Sequence, residues 1–178
     1  MANMRIWHLS ADSDNFNNIV PVNESDWSKF EFDGTWIQND WNPVEVKTLK
    51  EIQCSDFPAL TPGVPVFSKK ALKYLDELIN ESVEVLPLVH NKEKLFAINV
   101  IKVLDCVDYD KSEYKKFTSS NRIMRFVKYE FIKEKLMNTH IFKIKDEPSK
   151  RPFVSDAFRN RVLEYGLKGF EFEEVWRD

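Results

Sequence analysis

PVFSKKALKYLDELINESVEVLPL (residues 65–88) and PFVSDAFRNRVLEYGLKGFEFEEVW (152–176) share one order of parts: proline, two large apolar residues, serine, amphipathic helix, loop, alternating strand. Ser68 and Ser155 stand where an N-cap belongs, since a serine oxygen can accept a hydrogen bond from an orphan amide of the first helical turn, at a gain of about 1 kcal/mol. The first helix is expected over 68–80, where Ala71, Leu72, Leu75, Leu78 and Ile79 recur as one stripe of 3.6 periodicity. The second, over about 156–165, sets Phe158, Val162 and Tyr165 on one side. Gly166 suits the left-handed position just past its end, with Leu167 folding back toward Val162. Each unit therefore reads as extended entry, helix, strand. The repetition is architectural and brings no catalytic group with it.

Working outward, VEVLPLV (83–89), a polar turn at 90–93 and KLFAINVIKVLD (94–105) predict an antiparallel hairpin whose second strand is the most apolar in the chain and hence central. RIMRFVKYEFI (122–132), IFKIK (141–145) and GFEFEEVW (169–176) read as further strands, and 133–140 as a short helical turn. DYDKSEYKKFTSSN (108–121) reads as a charged loop. Toward the start, 4–10 alternates as a strand and 11–28 is polar loop. Over 29–46 short strands and irregular backbone are expected, with Asp33-Gly34 as a turn pair and Trp36 and Trp41 partly buried. The proline-rich stretch 54–67 is a connector. These parts predict one α+β domain over residues 1–178: a mostly antiparallel sheet with the two amphipathic helices packed on it. Within it, 1–60 is acidic, aromatic and irregular, and 61–178 holds the helix–strand units.

Fourteen phenylalanines, five tryptophans and only four glycines in 178 residues describe a folded body with little linker. Cys54 and Cys106 have no framework spacing and the first residues carry no apolar leader, so a cytoplasmic protein with free thiols is expected. Apolar runs are too short to span a membrane. The net charge of −3 is unevenly spread. Residues 1–60 carry four basic and ten acidic side chains, whereas 111–151 carry twelve basic and five acidic ones. Such a split either neutralises within the fold, is simply solvated, or presents an acidic face to a basic partner.

Candidate chemistry is sparse. His8, His90 and His140 are isolated from one another, without the spacing of a metal site. A small hydrolase built on Cys106 or on carboxylates is one alternative. Yet Asp105 and Asp108 beside Cys106 would raise a thiol pKa, the wrong direction for a nucleophile. No glycine-rich phosphate loop is present, so no nucleotide cofactor is expected. An RNA-binding module is the other alternative, because Tyr114, Phe117, Phe126, Tyr129 and Phe131 interleave with the basic stretch. An isoelectric point near 5.7 and the strand alternation weigh against nucleic acid.

Several blocks together carry a family likeness: FDG with DWNP (32–43), DFPAL with PVFSKKALKYL (56–75), VLDCVDYDKSEY with RIMR and YEF (103–131), and FVSDAFRNRVLEYGLKGFEFEEVW at the end. In these the chain resembles immunity proteins of bacterial polymorphic toxin systems, a myxobacterial-type group first known only as a domain without assigned function. The resemblance implies a small cytoplasmic, non-enzymatic protein that needs no cofactor or metal. It would bind and neutralise a cognate toxin, usually encoded nearby. It leaves the toxin's identity and the oligomeric state open. From composition alone, Trp27, Asp33, Trp36, Asp40 and Trp41 are the expected partner-binding residues: aromatic and acidic anchors against a basic effector. The alternative, tryptophans in the core and acids merely solvated, stands beside it.

Overall fold

The computed structural model describes residues 3–60 and 63–178, and its strands divide between two five-stranded sheets and one separate ribbon. The first sheet runs in the order β12 (Phe170–Arg177), β1 (Arg5–Ala11), β11 (Phe153–Ser155), β10 (Ile141–Ile144), β7 (Val103–Leu104). The second runs β2 (Asn18–Pro21), β3 (Val44–Lys50), β5 (Val83–Val89), β6 (Leu95–Val100), β4 (Val66–Ser68). Each contains one parallel pair, β10 with β7 and β3 with β5, and is otherwise antiparallel. Among the described residues β8 (Glu113–Lys116) and β9 (Ile123–Lys128) pair only with each other. The described residues also form three α-helices: α1 (Glu24–Ser28), α2 (Lys69–Ile79) and α3 (Asp156–Glu164).

The two similar stretches of sequence fold into the same topology. β4 leads through α2 into β5, and β6 lies between those two strands, antiparallel to both. β11 leads through α3 into β12, and β1 lies between them in the same way. Both units are thus split β-α-β motifs, in which the helix crosses over one intervening strand. The capping expected from the serines is present: Ser68 Oγ accepts from Ala71 N at 3.1 Å, and Ser155 Oγ accepts from Phe158 N at 3.2 Å. At the end of α3, Gly166 takes φ +59° and donates to Leu163 O, while Leu167 donates to Val162 O at 3.0 Å. That pair of bonds closes a Schellman motif.

The two helices meet. Tyr74 and Tyr165 stack with ring centroids 4.0 Å apart, and the Arg161 guanidinium donates to Tyr74 O at 3.0 Å. Beneath them Leu75, Ile79, Phe158 and Val162 share one core with Trp7 and Leu9 of β1, Phe67 of β4 and Ile98 and Val100 of β6. Each sheet buries its other face under an irregular cover. In the second sheet, Leu86, Leu88, Leu95 and Ala97 pack against Trp27, Ile37 and partners from residues 27–41. In the first, Ile6, Phe142, Ile144, Phe153 and Trp176 pack against Cys106, Val107, Phe131 and Leu136, with Phe126 and Tyr129 alongside.

Several local expectations are corrected. The run 94–105 is not one strand: it leaves the second sheet at Val100 and joins the first at Val103 as a parallel neighbour of β10. The charged stretch 108–121 contains β8, and the polar stretch 11–28 contains β2 and α1. Residues 29–43 form no strand; Phe30, Phe32 and Trp41 pack together with Trp27, and a single 3-10 turn spans Gln38–Asp40. The connector over 54–67 includes residues 61 and 62, which lie outside the described residues.

Candidate functional site

The cover on the second sheet gathers all five residues singled out by composition. Trp27, on α1, stacks on Phe32 with centroids 4.8 Å apart and meets Trp41 edge-on at 6.1 Å, while Phe30 leans on Trp41 at 4.9 Å. This aromatic cluster, rather than a strand ladder, organises residues 27–41. Trp27 is only 5% exposed, and its indole packs in the buried cluster of the second sheet. Trp41 is half-buried, and its indole N–H donates to Pro87 O at 2.9 Å. Asp40 is exposed on the 3-10 turn. Trp36 is 71% exposed, the largest exposure of any large hydrophobic side chain among the described residues.

Why does an exposed indole sit on so short a loop? The backbone on either side of it is pinned by buried polar side chains that project from the sheets. In β5, Glu84 shares a face with Leu86 and Leu88, and its carboxylate accepts from Ile37 N at 2.9 Å and Gln38 N at 3.0 Å. Asn99 of β6 lies next to it in register and donates to Glu84 at 2.7 Å and to Thr35 O at 2.8 Å. Lys143 of β10, 2% exposed, donates to Phe32 O at 2.6 Å. Burial pulls its pKa down to about 8, partly offset by the nearby charge of Asp33. Asp33 itself accepts from Thr35 N at 3.1 Å and from the Thr35 hydroxyl, which holds its carboxyl below the ordinary carboxylate range. Gly34 follows at φ +99°, packed so closely on Val103 that a Cβ would overlap a valine methyl.

Burying Glu84, Asn99 and Lys143 is costly, since each polar group gives up water and must be repaid by bonds made to the loop. Asn99 Oδ1 remains buried without a partner among the described residues. What these groups provide is a fixed backbone from Phe32 to Gln38, so an indole at position 36 is held out with little entropy left to lose. None of the three was singled out from sequence. The signal was present: Glu84, Asn99 and Lys143 interrupt VEVLPLV, FAINV and IFKI, three of the most apolar strands in the chain.

The catalytic alternative fares differently. Cys106 is wholly buried, and burial pushes its thiol up to about 12, so at neutral pH it is protonated and shielded. Among the described residues no three or more His, Cys, Asp or Glu side chains are grouped to hold a metal ion. No helix among them is long and apolar enough to cross a membrane.

Trp36 is thus an exposed indole on a loop whose backbone is bonded to buried side chains on both sides, and tryptophan is enriched among the residues that dominate protein interfaces. Residues 87–177 match the model of the immunity protein family (Imm11), a match over about half of the sequence, and the chain belongs to that family. No curated protein matches the chain. The matched segment begins within β5 and ends within β12, and so takes in Asn99, Lys143 and Pro87 but not the loop that they hold.

Proposed function

We propose that this protein binds a cognate toxin in the bacterial cytoplasm and neutralises it as a stoichiometric plug, with the loop 33–41 as a principal contact. The observation that carries the reading is Trp36, 71% exposed on a loop that Glu84, Asn99 and Lys143 immobilise. Family membership supports a toxin as the partner. Asp40 is exposed on the same loop and Asp33 is half-buried, in the part of the chain where acids outnumber bases ten to four, which fits a basic effector surface.

The test is co-expression with the toxin domain encoded beside this gene, followed by titration of the two purified proteins. Growth should be rescued without turnover of any substrate. Trp36→Ala should weaken binding at least tenfold, as expected of a central aromatic anchor, while leaving the urea midpoint unchanged. Asp40→Lys should lower affinity most at low salt. If both variants bind and protect like the parent, the loop is not the contact. Catalytic consumption of a metabolite by the purified protein would overturn the plug itself.

A further inference from the structure

The cover on the first sheet carries a surface of opposite character, the β8–β9 ribbon. Lys115 and Arg125 face each other directly across the two strands, a like-charge pair that destabilises a ribbon left to itself. Among the described residues the carboxylate pairs of this region are Lys111–Asp108 at 3.3 Å and Lys128–Glu130 at 2.8 Å, so Lys115, Arg122 and Arg125 stand exposed with none. The same ribbon and its turn also leave apolar side chains in solvent: Val127 is 59% exposed, Phe117 46% and Met124 43%. Neither strand is paired on its outer edge among the described residues.

We propose that this ribbon is a second docking arm, which takes an acidic surface of a protein partner with an apolar patch at its centre. The inference rests on the toxin-neutralising reading and names the toxin as that partner. Unpaired cations and exposed aliphatic groups on one ribbon match a carboxylate-rimmed apolar patch: the cations find the counter-charges they lack, and the Val127 and Met124 side chains are taken out of water. Nucleic acid fits less well. Of the ribbon's rings that could stack on bases, Tyr114 and Phe126 turn inward, and Phe117 alone of the three is exposed. Tyr114 packs edge-on to Tyr109 at 6.1 Å and Phe126 stacks on Tyr129 at 4.8 Å. The side chains left outside include a valine and a methionine, which offer no flat face to a base.

The experiment titrates the neighbouring toxin domain with the full chain and with Arg125→Glu and Lys115→Glu, each at 50 and 300 mM NaCl. Either substitution replaces the like-charge pair with an ion pair, so the ribbon should gain amide protection in hydrogen exchange over 113–128, which certifies the fold. Both should weaken toxin binding at least tenfold at 50 mM NaCl and by less at 300 mM, with Val127→Ser weakening it independently of salt. Unchanged affinity and salt dependence in all three overturns the docking arm while leaving neutralisation intact. A parent chain that binds no neighbouring toxin removes both readings. A single-stranded oligonucleotide serves as a second titrant: tight binding to it that Arg125→Glu abolishes would overturn the protein partner in favour of nucleic acid.

Discussion

Replacing Glu84 by glutamine would change one oxygen to an amide nitrogen in the buried hub beneath the Trp36 loop. With the amide oxygen kept on the side of Ile37 N and Asn99, the new NH2 faces Gln38 N, a donor against a donor where a bond of 3.0 Å stood. Loss of a charge-assisted bond and the orphaned amide cost about 2 kcal/mol, and the two surviving bonds weaken by about 0.5 kcal/mol each as the acceptor turns neutral. Relief from burying a carboxylate returns about 1 kcal/mol. The net loss is about 2 kcal/mol, which for a chain of this length lowers the melting temperature by about 5 °C. The effect should be local. Amide exchange at Thr35, Ile37 and Gln38 should accelerate at least tenfold, with the β5–β6 hairpin still protected, as followed by hydrogen exchange and NMR. Exchange at these amides unchanged from the parent, or accelerated evenly throughout, would refute the assignment of Glu84 as the pin of this loop.

Other outcomes test separate parts of the structure. His8 is buried against Phe153, and its pKa is pulled from 6.5 to about 3 by burial first and by Arg151 and Lys150 second. The unfolded chain takes up a proton there below about pH 6.5 and the folded chain does not, so stability should fall from pH 6.5 downward by up to about 1.4 kcal/mol per pH unit. His140, lowered by burial as well, adds to the same window. His8→Phe should flatten the urea midpoint between pH 6.5 and 4.5, and equal steepness would count against burial as the cause. Ellman's reagent should label Cys54, which is exposed, and spare buried Cys106 until urea is added; two thiols reacting at once in the native protein would contradict the packing around Cys106. Gly34→Ala should cost about 3 kcal/mol from its φ of +99° and its clash with Val103, and Val103→Ala in the same chain should recover the steric part, leaving about 1 kcal/mol of backbone strain. Additive losses in the double variant would exclude the contact.

Local signals were legible in the sequence where one residue type had one physical use. Ser68 and Ser155 marked both helix starts, Gly166 the end of α3, and the alternation of 83–89 and 94–100 the hairpin, because caps and periodicity act over a few residues. The α+β class followed from these. The division into two sheets did not, since a continuous apolar run such as KLFAINVIKVLD cannot say that its halves pair with different neighbours, β5 and β4 on one side and β10 on the other. β8 was hidden by charge on both of its faces, which is how an isolated ribbon differs from a half-buried strand. The site was legible as a composition, not as a surface. Whether Trp27 or Trp36 is buried depends on which of them reaches the β5–β6 face, and nothing within 27–41 records that.

The interleaving of β1 between β11 and β12 also sets an order of events during synthesis. Residues 5–11 leave the ribosome long before 153–155 and 170–177, the strands that pair with them. Trp7 and Leu9 must therefore wait without their strand partners until those segments are made, and the first sheet closes only when 170–177 is free of the exit tunnel. A nascent chain stalled before residue 170 holds half of a framework and no finished wall, which makes it a natural client for chaperones and an early target for proteases.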